Sequence, residues 1–140
     1  MKEPVLECVT EIFTFLEQLS NKIIERVFYR FPSLIPEISE VATGVISQEC
    51  DACKVVVENI IDCEEGYLFT NDMDYLTERT SLIPKGQQGP PGQREDPRKL
   101  FVNEIRLRID SYFRLVIKNV RDTVPKAIGY FLVRGSMERM

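Results

Sequence analysis

The sequence predicts an all-α fold, an elongated antiparallel bundle of three long helices with the last kinked at Pro125. Three observations lead there. Apolar residues recur at three- and four-residue spacing through three long stretches, the mark of helices with one buried stripe. Short-range strand and hairpin signals are missing. The chain breakers gather in one place: of 7 glycines and 8 prolines, seven residues fall between positions 84 and 97.

In the first stretch Val5, Leu6, Val9, Ile12, Phe13, Leu16, Leu19, Ile23, Val27 and Phe28 keep a helical stripe. Pro4 suits the first turn, where a missing N–H is no loss. The pattern is expected to run to about Phe31, because Pro32 and Pro36 cannot continue it.

Ser33 is the expected N-cap of the second helix, with Pro36 in its first turn. Leu34, Ile38, Val41, Val45, Ala52, Val56, Ile60, Cys63 and Tyr67 carry its stripe, and Gly44 weakens it locally by about 1 kcal/mol. Val55, Val56 and Val57 read locally as strand, but the helical spacing continues into Cys63 and Tyr67. The helix is expected to end near Phe69, with Thr70, Asn71 and Asp72 as a turn or cap.

Residues 84–97 read as a flexible Pro/Gly linker that cannot pack or hold regular structure. The organisation is then 1–83, a joint at 84–97, and 98–140. Asp96 and Pro97 make an N-cap and first-turn pair for the third helix. Its stripe is Val102, Ile105, Ile109, Tyr112, Phe113, Val116 and Val120, and helical spacing resumes after Pro125 through Ala127, Ile128, Phe131 and Leu132.

Composition narrows the function classes. With 22 acidic and 18 basic residues the net charge is −4, which argues against nucleic acid as a partner. Histidine is absent, so Ser-His, Cys-His and His-metal chemistry is excluded. No phosphate loop or dinucleotide fingerprint occurs, and neither Glu64–Glu65 nor Asp72 with Asp74 has a calcium-loop spacing. No catalytic residue, cofactor or metal is expected. Acidic residues near the N-terminus and short apolar runs fit neither a secretory leader nor a membrane span, so a cytoplasmic protein is expected. Cys50 and Cys53 form a C-x-x-C, but inside a helix it reads as core-packed reduced thiols.

Charge is uneven along the chain. Residues 32–80 hold eleven acidic and two basic side chains, residues 81–140 six and twelve. The segments either attract, within or between molecules, or are two solvated faces of chance composition; both readings stay open.

Four motifs resemble one family. Lys2-Glu3-Pro4-Val5-Leu6-Glu7-Cys8-Val9 resembles the opening of a long helix in the middle domain of dynamins. Arg30-Phe31-Pro32-Ser33-Leu34 resembles its helix break, and the stretch from Gly66 to Tyr75 resembles the end of the next helix. Asp110-Ser111-Tyr112-Phe113, followed by Val116, Lys118, Val120-Arg121-Asp122 and Val124-Pro125-Lys126-Ala127-Ile128, is similar to the GTPase effector domain.

This resemblance implies a stalk fragment of a dynamin-like GTPase with one helix of four missing, along with the GTPase domain and a continuation after Met140. It implies a non-catalytic self-assembly module supporting membrane remodelling, fission or scission. GTP and magnesium would belong only to the absent GTPase domain. The implied partners are a second copy and the GTPase domain of the parent chain. The membrane would be touched only indirectly, by a cytoplasmic, peripherally associated parent. By motif position the resemblance places Leu115 and Lys118 at or near a stalk crossing; Leu115 also lies off the helical stripe, as an exposed self-contact residue would. The plainer reading is a peripheral core leucine and a solvated lysine. At Ser47 to Lys54 the basic stretch usual in the family is absent. A stand-alone helical adaptor that docks a partner's helix is the alternative.

Overall fold

The computed structural model describes residues 2–81 and 97–140. The joint expected at 84–97 therefore lies outside the described residues, except for Pro97, and so does the expected cap Asp96. Among the described residues the elements are α1 (Lys2–Val27), α2 (Ile35–Gly66), α3 (Met73–Ser81), α4 (Pro97–Ala127), a π-helical segment (Ile128–Arg134) and α5 (Gly135–Arg139). The three long helices are α1, α2 and α4; the short α3, the π segment and α5 are additional to the expectation. Two compact units form, one from Met1–Tyr67 with Val120–Met140, the other from Leu68–Asn119.

In the first unit α1 and α2 pack as an antiparallel pair, and Lys2 at the start of α1 pairs with Asp62 near the end of α2. α1 stops at Val27, four residues short of the expected Phe31. Pro32 has no N–H to offer the Phe28 carbonyl, which instead accepts from Phe31 N at 2.8 Å in a tighter turn. Ser33 does not cap α2. Leu34 precedes the helix in α-helical backbone, without a side-chain cap, and Pro36 takes the second position. α2 ends at Gly66 rather than Phe69, and extended Tyr67 donates its N–H to the Cys63 carbonyl at 3.2 Å.

The buried face of α2 is Ala42, Ile46, Cys50, Cys53, Val57 and Ile61. That is the expected stripe moved one residue along, a rotation of about 100°. Val41 is accordingly 69% exposed. On α1, Val9 and Ile24 are buried while Leu19, Ile23 and Val27 stand out. Both helices carry apolar residues on two adjoining faces, so helical spacing alone leaves the rotation open.

The core is closed by the C-terminal segment. The π segment packs on α2 and α1, and α5 packs on α2, burying Ile128, Leu132 and Ser136. Pro125 lies within α4, and the irregularity appears just downstream, as π turns. Proline deprives the Arg121 carbonyl of its usual donor, and a wider turn absorbs the mismatch without ending the helix. The Gly135 N–H is shared between the carbonyls of Leu132 and Tyr130.

In the second unit α3 runs antiparallel to the middle of α4, with Tyr75 edge-on to Tyr112, ring centroids 5.7 Å apart. The expected stripe of α4 is exposed in its first half, at Val102, Ile105, Ile109 and Phe113, and buried as expected at Val116 and Val120, with Ser111 and Leu115 buried beside it.

The rotation of α2 is testable by chemical denaturation. Ile46→Ala is expected to cost about 2–5 kcal/mol, as for a buried aliphatic residue. Val41→Ala should stay within about 0.5 kcal/mol. Equal losses would put the buried face elsewhere.

Candidate functional site

The residues singled out by sequence, Leu115 and Lys118, sit on α4 within the second unit. Leu115 is only 7% exposed, which corrects the expectation of an exposed apolar contact. The reason is a buried face wider than the expected stripe: Leu115 follows Ser111 by one helical turn, and both are buried beside the stripe residues Val116 and Val120. Its hydrocarbon serves packing.

Lys118 stays open to solvent, its side chain 60% exposed, but it is not a free cation. Its Nζ lies 3.6 Å from Asp72 Oδ2 and 4.0 Å from Asp74 Oδ2. Asp72 caps α3. Its Oδ1 accepts the Tyr75 N–H at 2.9 Å, while its own N–H donates to Thr70 Oγ1 at 3.0 Å. The expected turn at Thr70, Asn71 and Asp72 thus has a physical basis, since a carboxylate satisfies an amide left without a helical partner. The Tyr75 amide, helped by Lys118, holds the Asp72 carboxyl below its ordinary value of 3.8. Further along, Ser111 Oγ donates to Glu78 Oε2 at 2.7 Å, and Arg114 lies 4.0 Å from Glu78. Lys118 is therefore part of a polar seam that fixes α3 on α4.

A second polar contact joins the C-terminal segment to α2, and sequence reasoning missed it. Glu49 Oε1 lies 2.8 Å from Arg139 Nη1, with the Glu49 side chain 13% exposed. A Cβ on Gly135 would stand 2.6 Å from Glu49 Oε2, so only glycine leaves room for the carboxylate undisturbed. The available signal was charge. Glu49, Asp72, Asp74 and Glu78 come from the acidic segment and Arg139, Lys118 and Arg114 from the basic one. The uneven charge becomes specific pairing within the chain, in addition to any between chains.

Cys50 and Cys53 point into the core, and burial pushes both thiols up, whereas Cys8 and Cys63 are exposed; all four are free. Buried thiols held protonated are poor nucleophiles, which favours packing over redox chemistry.

Residues 1–83 match the family model described as the dynamin central region, and residues 97–140 match the dynamin GTPase effector domain. Dynamin-related protein 5A of Glycine max is 24% identical over 136 residues, which cover 96% of this chain and 22% of that protein. Vacuolar protein sorting-associated protein 1 of Schizosaccharomyces pombe is 26% identical over 65% of this chain and 14% of its own. Dynamin-1-like protein of Danio rerio is 23% identical over 95% of this chain and 30% of its own. The chain thus spans less than a third of the length of these curated relatives. No solved structure matches it.

Two outcomes test the seams. The Asp72 carboxyl is depressed on folding, so its contribution is complete above pH 3.8 and is lost as pH falls through its lower folded value. The Tyr75 amide should lose exchange protection only below pH 3.8, and Asp72→Asn should abolish that acid step. Gly135→Ala should push aside the Glu49 carboxylate, the end of a flexible side chain, and so stabilise the native chain by less than helix propensity alone would give. In a Glu49→Ala background the same change should stabilise by up to about 1 kcal/mol, through helix propensity alone.

Proposed function

The chain belongs to the dynamin family, with central-region and effector-domain segments and a match to no GTPase domain, and from that premise we propose that it is the non-catalytic self-assembly stalk of a dynamin-like GTPase. The observation that carries this reading is the shared core of the first unit. Ile128, Leu132 and Ser136 of the effector segment are buried where that segment packs on α2 of the central region. Two segments far apart in the chain share one core there, as a lever or strut requires.

Its partner in this reading is a further copy of itself, with the GTPase domain of the parent chain as a second. GTP and magnesium would be bound by that domain alone. The parent protein would be cytoplasmic and peripherally associated with membrane, and assembly would serve remodelling, fission or scission. No helix among the described residues is long and apolar enough to cross a membrane. Lys118 contributes in this reading by holding α3 in place, and Leu115 by packing α4, so both act on the shape of the assembling surface.

The test is sedimentation equilibrium of the full chain. A dimer or larger species is expected, with its share rising with concentration. A folded monomer at every concentration would overturn the self-assembly reading.

A further inference from the structure

The early turns of α4 carry apolar and cationic side chains on one exposed face. Val102, Ile105, Ile109 and Phe113 follow at three- and four-residue spacing, 41–64% exposed, over about 17 Å of helix. The polar ties to α3 leave from Ser111, Arg114 and Lys118, which project from the opposite side of α4. Lys99 and Arg106 stand exposed along one border of the stripe, and Arg98 is exposed at its head. Among the described residues neither Lys99 nor Arg106 is paired with a carboxylate. Glu104 is half-buried and paired with Arg108, which leaves Asp110 as the one exposed carboxylate between residues 97 and 113.

Shape decides what such a face can take up. Arg98, Lys99, Val102, Asn103 and Arg106 line a shallow notch of about 300 Å³, and all five come from α4. A partner helix needs a groove between two elements, whereas this is the convex outside of one. A convex apolar ridge with cations beside it suits a bilayer interface, where the acyl boundary yields to the side chains. The long stems of Lys99 and Arg106 let the apolar residues sink while their charges stay among the headgroups. In the notch, guanidinium groups offer paired donors to a phosphate or carboxylate. The whole chain carries −4, so an anionic bilayer attracts it only through a local basic face.

We propose that this face of α4 is a membrane-contact surface: Val102, Ile105, Ile109 and Phe113 seat in the interface of an anionic bilayer, and Arg98, Lys99 and Arg106 hold its headgroups. The helix lies in the plane of the surface, since no described helix is long and apolar enough to cross. This deepens the membrane association proposed for the parent protein and rests on that reading for a membrane to meet. It replaces indirect contact with a direct one, made by the effector segment itself.

Flotation of the full chain with lipid vesicles tests it. Native protein is expected to bind vesicles of phosphatidylcholine with about a third phosphatidylserine, and not phosphatidylcholine alone. Lys99→Gln with Arg106→Gln should weaken binding about thirtyfold, and Asp110→Asn should strengthen it about fivefold. Val102→Ser with Ile109→Ser leaves the charge unchanged and should still weaken binding about tenfold or more. All five positions are exposed, and circular dichroism with sedimentation checks that each variant keeps its helices and its native state of association. Binding that follows the charge changes but ignores the apolar ones would overturn seating in the interface. Binding that none of the variants alters would overturn the surface altogether. So would capture of soluble polyglutamate through the same cations by a chain that ignores vesicles. A native chain that self-associates but binds no anionic vesicle overturns this surface and leaves the self-assembly reading intact; a monomer that still binds does the reverse.

Discussion

The structure depends on burial of one face of α2. Ala42, Ile46, Cys50, Cys53, Val57 and Ile61 form a continuous strip that α1 and the C-terminal segment cover between them. Fully burying a side chain such as Ile46 or Ile61 is worth about 1.5–3 kcal/mol, so the strip outweighs the polar contacts around it. It also explains the two buried cysteines. At Cys50 and Cys53 a small, weakly polar side chain fills a helix-facing position, and the raised thiol pKa values follow from that placement.

Polar contacts set register on this apolar frame. Glu49 with Arg139 and Asp72 with Lys118 each tie an acidic-segment residue to a basic-segment one. Partly exposed pairs of this kind contribute little stability one by one, but they discriminate against neighbouring alignments. Glu49 shows how. Its carboxylate occupies the space that a side chain on residue 135 would need, so charge and glycine together select one position of α5 along α2. The π turns just before it bring the chain to that position without ending the helix at Pro125.

Family membership and geometry meet in the first unit, where central-region and effector-domain residues share a core. Dense packing of that kind couples the two segments of the chain mechanically. What remains exposed is consistent with assembly. Apolar residues persist on the early turns of α4, where Phe101, Ile105, Ile109 and Phe113 are exposed.

Much was legible in the sequence. Three long helices follow from periodicity, the first break from Pro32, and the cap at Asp72 from a Thr-Asn-Asp turn, while α2 ends at Gly66, three residues before the expected Phe69. The ordered motifs pointed to the dynamin family, and the charge imbalance anticipated attraction without naming pairs. The sequence left open which face of α2 would be buried and how wide the buried face of α4 would be, and it therefore misplaced Leu115. Apolar residues occupy adjoining faces in α2, so local spacing assigns nearly equal favour to rotations one residue apart. Only the neighbours that arrive from far along the chain, α1 on one side and residues 128–139 on the other, break that near-tie, because burial free energy is collected where a second surface is present to exclude water.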